Sequence, residues 1–182
     1  MSFIIPYEYK NIFSTENQAQ QINNIILKYV TRDIIITDAT ACIGGNSYFF
    51  TRDFKFVNSV EINENLFEIL KNNLKNFNNK EIFTCSFNII KFIIKQDVIF
   101  IDPPWGGSIY KTKKKVDLYL DGINISEIVD SLYNYTNLLA LKVPNNFNRN
   151  SISELFWKNK IFCINKGGKS IYKLIIFHKS IP

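Results

Sequence analysis

Apolar runs that alternate with helix-like segments are the feature that most constrains the fold of this chain. Such runs predict seven strands, at residues 33–39, 55–62, 81–87, 97–103, 137–144, 160–165 and 170–178. Helical periodicity predicts helices at 63–77, 124–135 and 151–159, and a capping-box pattern at Thr15 predicts another helix before the first strand. Strands that alternate with helices predict an α/β fold with a mainly parallel, doubly wound sheet.

Length and composition indicate one domain. With 182 residues, 46% of them hydrophobic, the chain is long enough for one sizeable core and short for two. We expect a single domain over residues 1–182, with a helical lead-in at 1–32 and a Rossmann-like core at 33–182. Because neither a secretory leader nor a membrane-length apolar run is visible, we expect a soluble, intracellular monomer. The three cysteines are isolated, so neither a disulfide framework nor a metal site is expected.

The charge balance favours a polyanionic partner. The formal net charge is +6 and the pI is about 9.1. Basic residues are concentrated at Lys111, Lys113, Lys114 and Lys115, directly after the most distinctive motif of the chain. Two interpretations of this segment remain, a solvated loop and a contact with phosphate groups.

Two polar strand ends indicate a nucleoside site. The stretch DATACIGGN follows the first predicted strand, where Gly44 and Gly45 let the backbone approach a ligand and Asn46 can cap the next helix. Glu61 follows the second strand, at the position where such folds hydrogen-bond ribose hydroxyls. The full G-x-G-x-x-G fingerprint is missing, so a nucleoside fits better than a dinucleotide.

The segment DVIFIDPPWGG at residues 97–107 carries the strongest functional signal. Pro103 and Pro104 donate no backbone N–H, so their carbonyls and the Asp102 carboxylate form an acceptor array suited to N–H groups. Trp105 offers a flat face on which a base can stack. An acceptor array beside a stacking face is typical of a methyltransferase that holds an exocyclic base amine. Accepting its N–H protons localises the amine lone pair toward the methyl donor, and this chemistry requires no metal.

On these motifs the chain resembles the RNA cap guanine-N2 methyltransferases, the trimethylguanosine synthase family. DATACIGGN is similar to the D-A-x-x-x-x-G-G-N cofactor loop of that family, and DPPWGG to its [S/D]-P-P-W-G-G motif. The resemblance covers most of the chain, with softer matches at FSTENQAQQI, SVEIN and LALKVPNNFN. It implies a class I S-adenosylmethionine-dependent methyltransferase with a seven-stranded, mainly parallel sheet and helices on both faces. The implied substrate is the exocyclic N2 of 7-methylguanosine in an RNA 5′ cap.

The resemblance also implies roles for individual residues. Trp105 would stack on the 7-methylguanine ring, and the basic segment would meet phosphates of the capped RNA. The implied catalytic residues are Asp102, Pro103, Pro104 and Trp105. The implied cofactor residues are Asp38, Thr40, Gly44, Gly45, Asn46, Glu61 and Ser86. The implied substrate residues are Trp105, Tyr110, Lys111, Lys113 and Asn146.

Three positions depart from the family pattern. Cys42 stands where the family usually has a glycine, and Ser86 replaces a frequent acid that contacts the adenine amine. Asp102 replaces a serine, and an acid before Pro-Pro-aromatic is also the pattern of adenine-N6 methyltransferases acting on DNA or RNA. The alternatives left open are such an adenine-N6 enzyme and a catalytically degenerate scaffold that binds the cofactor or the cap.

Overall fold

A seven-stranded sheet forms the centre of the computed structural model, which describes residues 3–9 and 14–179. Its strands are β1 (Ile35–Asp38), β2 (Phe56–Val60), β3 (Lys80–Phe83), β4 (Val98–Ile101), β7 (Leu138–Val143), β8 (Lys158–Lys166) and β9 (Lys169–His178). A short hairpin, β5 (Tyr119–Leu120) and β6 (Ile123–Asn124), lies outside the sheet. The order is β3-β2-β1-β4-β7-β9-β8, with the first five strands parallel and β9 antiparallel to both neighbours. The predicted mainly parallel sheet is therefore confirmed.

Five α-helices connect or flank the strands in the described part of the chain. They are α1 (Glu16–Ile26), α2 (Gly45–Asp53), α3 (Glu64–Leu74), α4 (Phe87–Ile90) and α5 (Ile125–Ser131). Three 3₁₀ segments lie at Tyr7–Tyr9, Gly107–Thr112 and Arg149–Ile152. The N–H of Thr15 donates to Oε1 of Gln18 at 2.9 Å, as the capping-box pattern predicts. None of the helices in the described ranges is long and apolar enough to cross a membrane.

The sheet is buried on both faces, which explains why its central strands read as continuous apolar runs. Side chains alternate along a strand, so Ile99 of β4 packs in the same cluster as Ile128 of α5, whereas Phe100 faces the opposite cluster. There Phe100 meets Phe50 of α2, with ring centroids 5.2 Å apart, together with Ile22 of α1. Helices therefore cover both faces, as predicted.

The predicted helix at 151–159 is wrong. Only the 3₁₀ turn at Arg149–Ile152 forms there, and β8 already begins at Lys158. Trp157 is buried and its indole N–H donates to the Val129 carbonyl of α5 at 3.0 Å, while Phe156 is 85% exposed. Residues 156 and 157 form a bend rather than a helical turn. A contact 28 residues away in sequence therefore overrides the local helical periodicity.

The predicted strand at 81–87 is too long at its carboxyl end. β3 ends at Phe83, and Ser86 caps the short helix α4, which the sequence did not predict. The Ser86 hydroxyl accepts from the Asn88 N–H at 3.1 Å, the usual behaviour of a serine at a helix N-terminus. Ser86 therefore lies just beyond the carboxyl edge of the sheet.

Candidate active site

The candidate site lies at the edge of the sheet where β3, β2, β1 and β4 end side by side. At the end of β1, the buried Asp38 carboxylate accepts from the Ser47 hydroxyl at 2.7 Å. The Ser59 hydroxyl of β2 in turn donates to Ser47 at 2.9 Å. Burial raises the pKa of Asp38 from 3.8 to about 7, although hydrogen bonds from Ser47 and the Thr40 N–H oppose that rise. This carboxyl group therefore titrates close to neutral pH.

The loop between β1 and α2 needs left-handed backbone at two positions. Gly44 has φ +92°, and a Cβ built there would lie 2.9 Å from Leu70 of α3, so both conformation and space favour glycine. Cys42 adopts φ +51° although it carries a side chain, and burial raises the pKa of its thiol to about 11. Gly44 is the N-cap of α2, and Gly45 opens the helix. The predicted capping role of Asn46 is therefore wrong, because Asn46 already lies within the first turn.

Glu61 is fixed by two backbone amides just beyond β2. Its Oε2 accepts from the N–H of Cys42 at 2.8 Å, and its Oε1 accepts from the N–H of Asn63 at 2.8 Å. The residue is 8% exposed. Each carboxylate oxygen has a second lone pair, so Glu61 retains capacity to accept from a diol.

Asn46 presents an unusual acceptor in the same loop. The residue is buried, and its side-chain Oδ1 has no hydrogen-bond partner among residues 3–9 and 14–179. Buried polar atoms are normally paired, so an acceptor of this kind suits an N–H donor from a bound ligand.

A buried ion pair holds the Asp102 carboxylate. Its Oδ2 lies 2.6 Å from Nζ of Lys142 in β7, and the Asp102 N–H donates to the Thr40 hydroxyl at 2.8 Å. Burial lowers the pKa of Lys142, but the negative charge of Asp102 outweighs that effect, so the net pKa is raised. Burial raises the pKa of Asp102, and Lys142 opposes the rise. Lys142 is therefore a cation at neutral pH, bound to the carboxylate of the proposed catalytic motif.

Lys142 was not among the predicted site residues. The signal was present, because this lysine interrupts the apolar run of Leu138–Val143, all of whose residues are buried. A charged side chain in a strand that is buried on both faces needs a partner of opposite sign. Its Nζ also contacts the Ser14 hydroxyl at 3.2 Å and lies 4.6 Å from the Tyr172 ring centroid.

The Pro-Pro-Trp-Gly-Gly backbone continues β4 beyond its paired residues. Pro103 is buried, whereas Pro104 is exposed at the surface of the site. Gly106 and Gly107 have φ values of +85° and +65°, and a Cβ on either would meet nothing within 4 Å. Backbone conformation, rather than shortage of space, therefore accounts for the two glycines.

Trp105 is half-buried and belongs to an aromatic group. Its ring centroid lies 5.3 Å from that of Tyr110 at an interplanar angle of 85°, and 6.0 Å from that of Tyr172 at 66°. Such edge-to-face contacts fix the orientation of the indole. The structure thus brings Trp105 and Tyr110 into contact, and their shared role in substrate binding stays a prediction.

Asn146 organises the basic segment. Its side-chain Nδ2 donates to the carbonyls of Tyr110 at 2.7 Å and Lys113 at 2.8 Å. Lys111 and Lys113 are exposed around this anchor. The Asn146 amide therefore positions the lysine-bearing loop. The sequence predicted Asn146 as a substrate-binding residue but did not predict this structural role.

Ser86 contacts Asp121, an acid that was not among the predicted site residues. The Ser86 hydroxyl donates to Oδ2 of Asp121, at the tip of the β5–β6 hairpin. Asp121 also adopts a left-handed conformation, with φ +52°. The two residues are 35 apart in sequence, so only the folded chain brings them together.

Comparisons with known proteins agree with this geometry. Residues 33–174 match a family model described as RNA cap guanine-N2 methyltransferase. The protein L320 of Acanthamoeba polyphaga mimivirus is 31% identical over 142 residues, which cover 74% of this chain and 54% of that protein. The chain therefore spans about half the length of this curated relative.

Solved structures share the fold at low sequence identity. PH1948 of Pyrococcus horikoshii has a TM-score of 0.65 at 17% identity, covering 100% of this chain and 94% of that one. An rRNA methylase of Streptococcus thermophilus has a TM-score of 0.61 at 12% identity, covering 87% and 94%. TYW2 of M. jannaschii, solved in complex with AdoMet, has a TM-score of 0.56 at 11% identity, covering 90% and 75%. The predicted class I methyltransferase fold is confirmed.

Proposed function

Because this chain belongs to the RNA cap guanine-N2 methyltransferase family, we propose that it methylates the exocyclic N2 of 7-methylguanosine in an RNA 5′ cap, as a single methyltransferase domain. The observation that carries this proposal is the link between the catalytic motif and the cofactor loop. The Asp102 N–H donates to the Thr40 hydroxyl at 2.8 Å, so the acceptor array lies directly beside that loop. Trp105 and Tyr110 provide the aromatic surface for the base.

The residues present fit S-adenosylmethionine, which supplies an electrophilic sulfonium methyl group. Glu61 is oriented to accept from the ribose hydroxyls, and the left-handed turn at Gly44 packs the cofactor loop closely against Leu70 of α3. The unpaired Oδ1 of Asn46 suits the ammonium group of the methionine part. Ile62 follows Glu61 and is 57% exposed, so it offers an apolar surface for the adenine.

The Asp102 carboxylate orients the nucleophile. An exocyclic amine is weakly nucleophilic because its lone pair is delocalised into the ring, and accepting its N–H groups localises that pair on nitrogen. Positive charge would develop on N2 as the N–C bond forms and the sulfonium–methyl bond breaks to leave a neutral thioether, and one N–H proton would then pass to solvent. The carboxylate would stabilise that charge, while Lys142, at 2.6 Å, favours its ionised form and holds it in place.

Asp102 itself favours a second candidate, an adenine-N6 methyltransferase acting on DNA or RNA. An acid accepts equally well from an adenine amine, and a serine is the more frequent residue of the cap enzymes at this position. The choice between the two therefore depends on the ring that Trp105 binds. A 7-methylguanine ring carries a positive charge, which the face of an indole attracts in addition to stacking.

Methyl transfer from labelled cofactor tests the proposal with three substrates in parallel. These are a 7-methylguanosine cap analogue, an unmethylated cap analogue and an adenine-containing oligonucleotide. Wild type should modify the 7-methylated analogue, and Trp105→Ala should lose roughly 5- to 150-fold in apparent affinity, the equivalent of one stacked base. Phe156→Ala, an aromatic truncation at an 85% exposed position, serves as the matched control.

Cofactor binding separates the outcomes. S-adenosylhomocysteine should raise the melting temperature of wild type and Trp105→Ala alike, because a ligand that binds only the folded state stabilises it. Transfer to the oligonucleotide instead of the cap would establish the adenine enzyme. Binding of S-adenosylhomocysteine without transfer to any substrate would indicate the scaffold.

A further inference from the structure

The tip of the β5–β6 hairpin places a carboxylate at the end of β3. Asp121 Oδ2 accepts from the Ser86 hydroxyl, and the Asn88 Nδ2 lies 3.5 Å from the same oxygen. Asn88 also donates to the Leu120 carbonyl at 3.4 Å. The hairpin is therefore docked against the N-terminus of α4 through both side-chain and backbone contacts.

Local sequence explains why the hairpin holds this shape. Asp121 and Gly122 have φ values of +52° and +80°, the two successive left-handed residues that an Asp-Gly hairpin turn requires. Leu120 is 7% exposed and packs in the same core cluster as Ile125, directly after the hairpin. The hairpin is thus held by Leu120 in the core and by the contact of Asp121 with Ser86, which gives the Asp121 carboxylate a defined position.

Ser86 cannot by itself serve as the main acceptor at this edge. Its one hydroxyl proton is donated to Asp121, and its oxygen already accepts from the Asn88 N–H. Asp121 is exposed, and its contacts with Ser86 and Asn88 both use Oδ2 rather than Oδ1. A carboxylate with two oxygens retains several free lone pairs in this arrangement.

The position of this carboxylate matches one edge of the cofactor. β3 is the neighbour of β2, so the Ser86–Asp121 contact lies at the same edge of the sheet as Glu61, the proposed ribose residue. A base attached to that ribose extends along the same edge of the sheet. The 6-position of adenine carries an amine, which donates hydrogen bonds, whereas the 6-oxo group of hypoxanthine only accepts them.

We propose that Asp121 accepts a hydrogen bond from the N6 amine of the cofactor adenine, with Ser86 as the positioning residue that holds its carboxylate. This inference rests on the proposed use of S-adenosylmethionine. Asp121 thereby supplies the acid that is absent at position 86. It also makes the site selective, because a carboxylate repels a 6-oxo group at the same place.

Ligand binding without turnover tests the inference by calorimetry. The two probes are S-adenosylhomocysteine and its 6-oxo analogue S-inosylhomocysteine. Wild type should prefer the adenine ligand, and Asp121→Ala should weaken that ligand by roughly 10- to 100-fold, as expected for a hydrogen bond to a charged group. Its affinity for the 6-oxo ligand should not fall. Asp130→Ala, a truncation of an exposed acid on α5, should leave both affinities unchanged.

Two further variants separate positioning from folding. Asp121→Asn keeps a residue that tolerates left-handed backbone and should reduce the preference for the adenine ligand without lowering the melting temperature of the free protein. Ser86→Ala should weaken the adenine ligand less than Asp121→Ala, and should add nothing in the Asp121→Ala background. If both Asp121 variants kept the wild-type preference for S-adenosylhomocysteine over S-inosylhomocysteine, this inference would be overturned but the proposed function would not. Failure of wild type to bind S-adenosylhomocysteine would overturn the proposed function as well.

Discussion

Replacing Lys142 by methionine is the most direct perturbation of the proposed active site. Methionine keeps a long, unbranched apolar stem, so most of the packing within β7 is retained. The change removes the ammonium group that lies 2.6 Å from Oδ2 of Asp102. Because Lys142 is 4% exposed, water cannot fully replace its ammonium group, and the Asp102 carboxylate, whose side chain is 22% exposed, is left without a counter-charge.

The expected loss in unfolding free energy is about 3–5 kcal/mol, the usual cost of removing one partner of a buried pair. Asp102→Asn in the Lys142→Met background removes the second charge, so the double variant should lie within about 2 kcal/mol of wild type. Lys71→Met is the matched control, because Lys71 pairs with Glu68 at 3.2 Å on the surface of α3. It should cost less than about 1 kcal/mol.

Urea unfolding followed by tryptophan fluorescence measures these differences. Burial raises the pKa of Asp102, and removal of Lys142 removes the charge that opposes this rise. In Lys142→Met, methyl transfer should therefore increase with pH as the carboxylate ionises. Its unfolding free energy should decrease over the same range, since the folded state holds the proton more tightly than the unfolded chain. A cost for Lys142→Met no larger than that for Lys71→Met would refute the ion pair.

Two other variants test the surroundings of the site. Asp38→Asn removes a carboxyl whose pKa rises from 3.8 to about 7 on folding, equivalent to about 4 kcal/mol at about 1.4 kcal/mol per unit. The unfolding free energy of wild type, relative to this variant, should therefore fall as the pH rises from about 4 to 7 and stay level above pH 7. If urea unfolding gave the same pH profile for both proteins, the raised pKa of Asp38 would be contradicted. Asn146→Ala removes the amide that holds the Tyr110 and Lys113 carbonyls, so it should weaken capped-RNA binding in fluorescence anisotropy by roughly 5-fold, about one hydrogen bond, with S-adenosylhomocysteine binding unchanged. An equal loss of both would indicate a wider structural defect.

The sequence predicts those parts of the fold that depend on local pattern. The strands that end at Asp38 and Ile101 were predictable because continuous apolar runs report burial on both faces of a parallel sheet. The helix expected at 151–159 fails because the indole of Trp157 is drawn to α5 by a contact that no local pattern encodes. The cap assigned to Asn46 fails because the N-cap of α2 is the left-handed Gly44, two residues earlier.

The site shows the same division between local and nonlocal information. Its strand-end residues follow from topology, since parallel strands place their carboxyl ends at one edge. The partners of those residues do not, because Lys142 is 40 residues from Asp102 and Asp121 is 35 residues from Ser86. A lysine inside an apolar run signals that a buried partner exists, but it does not say which acid that partner is.

The ion pair between Asp102 and Lys142 also changes which target base Asp102 indicates. Taken alone, an acid before Pro-Pro-Trp points toward adenine-N6 chemistry as readily as toward the cap. With Lys142 bound to it at 2.6 Å, the pair carries no net charge, which is also the charge of the serine found in the cap enzymes. Under the proposed function, the pair would accept from the amine of either base, and it would attract a cationic ring less strongly than a free carboxylate does. Discrimination between a charged 7-methylguanine and a neutral adenine would then depend on the faces of Trp105 and Tyr110, which attract a cation through their π systems.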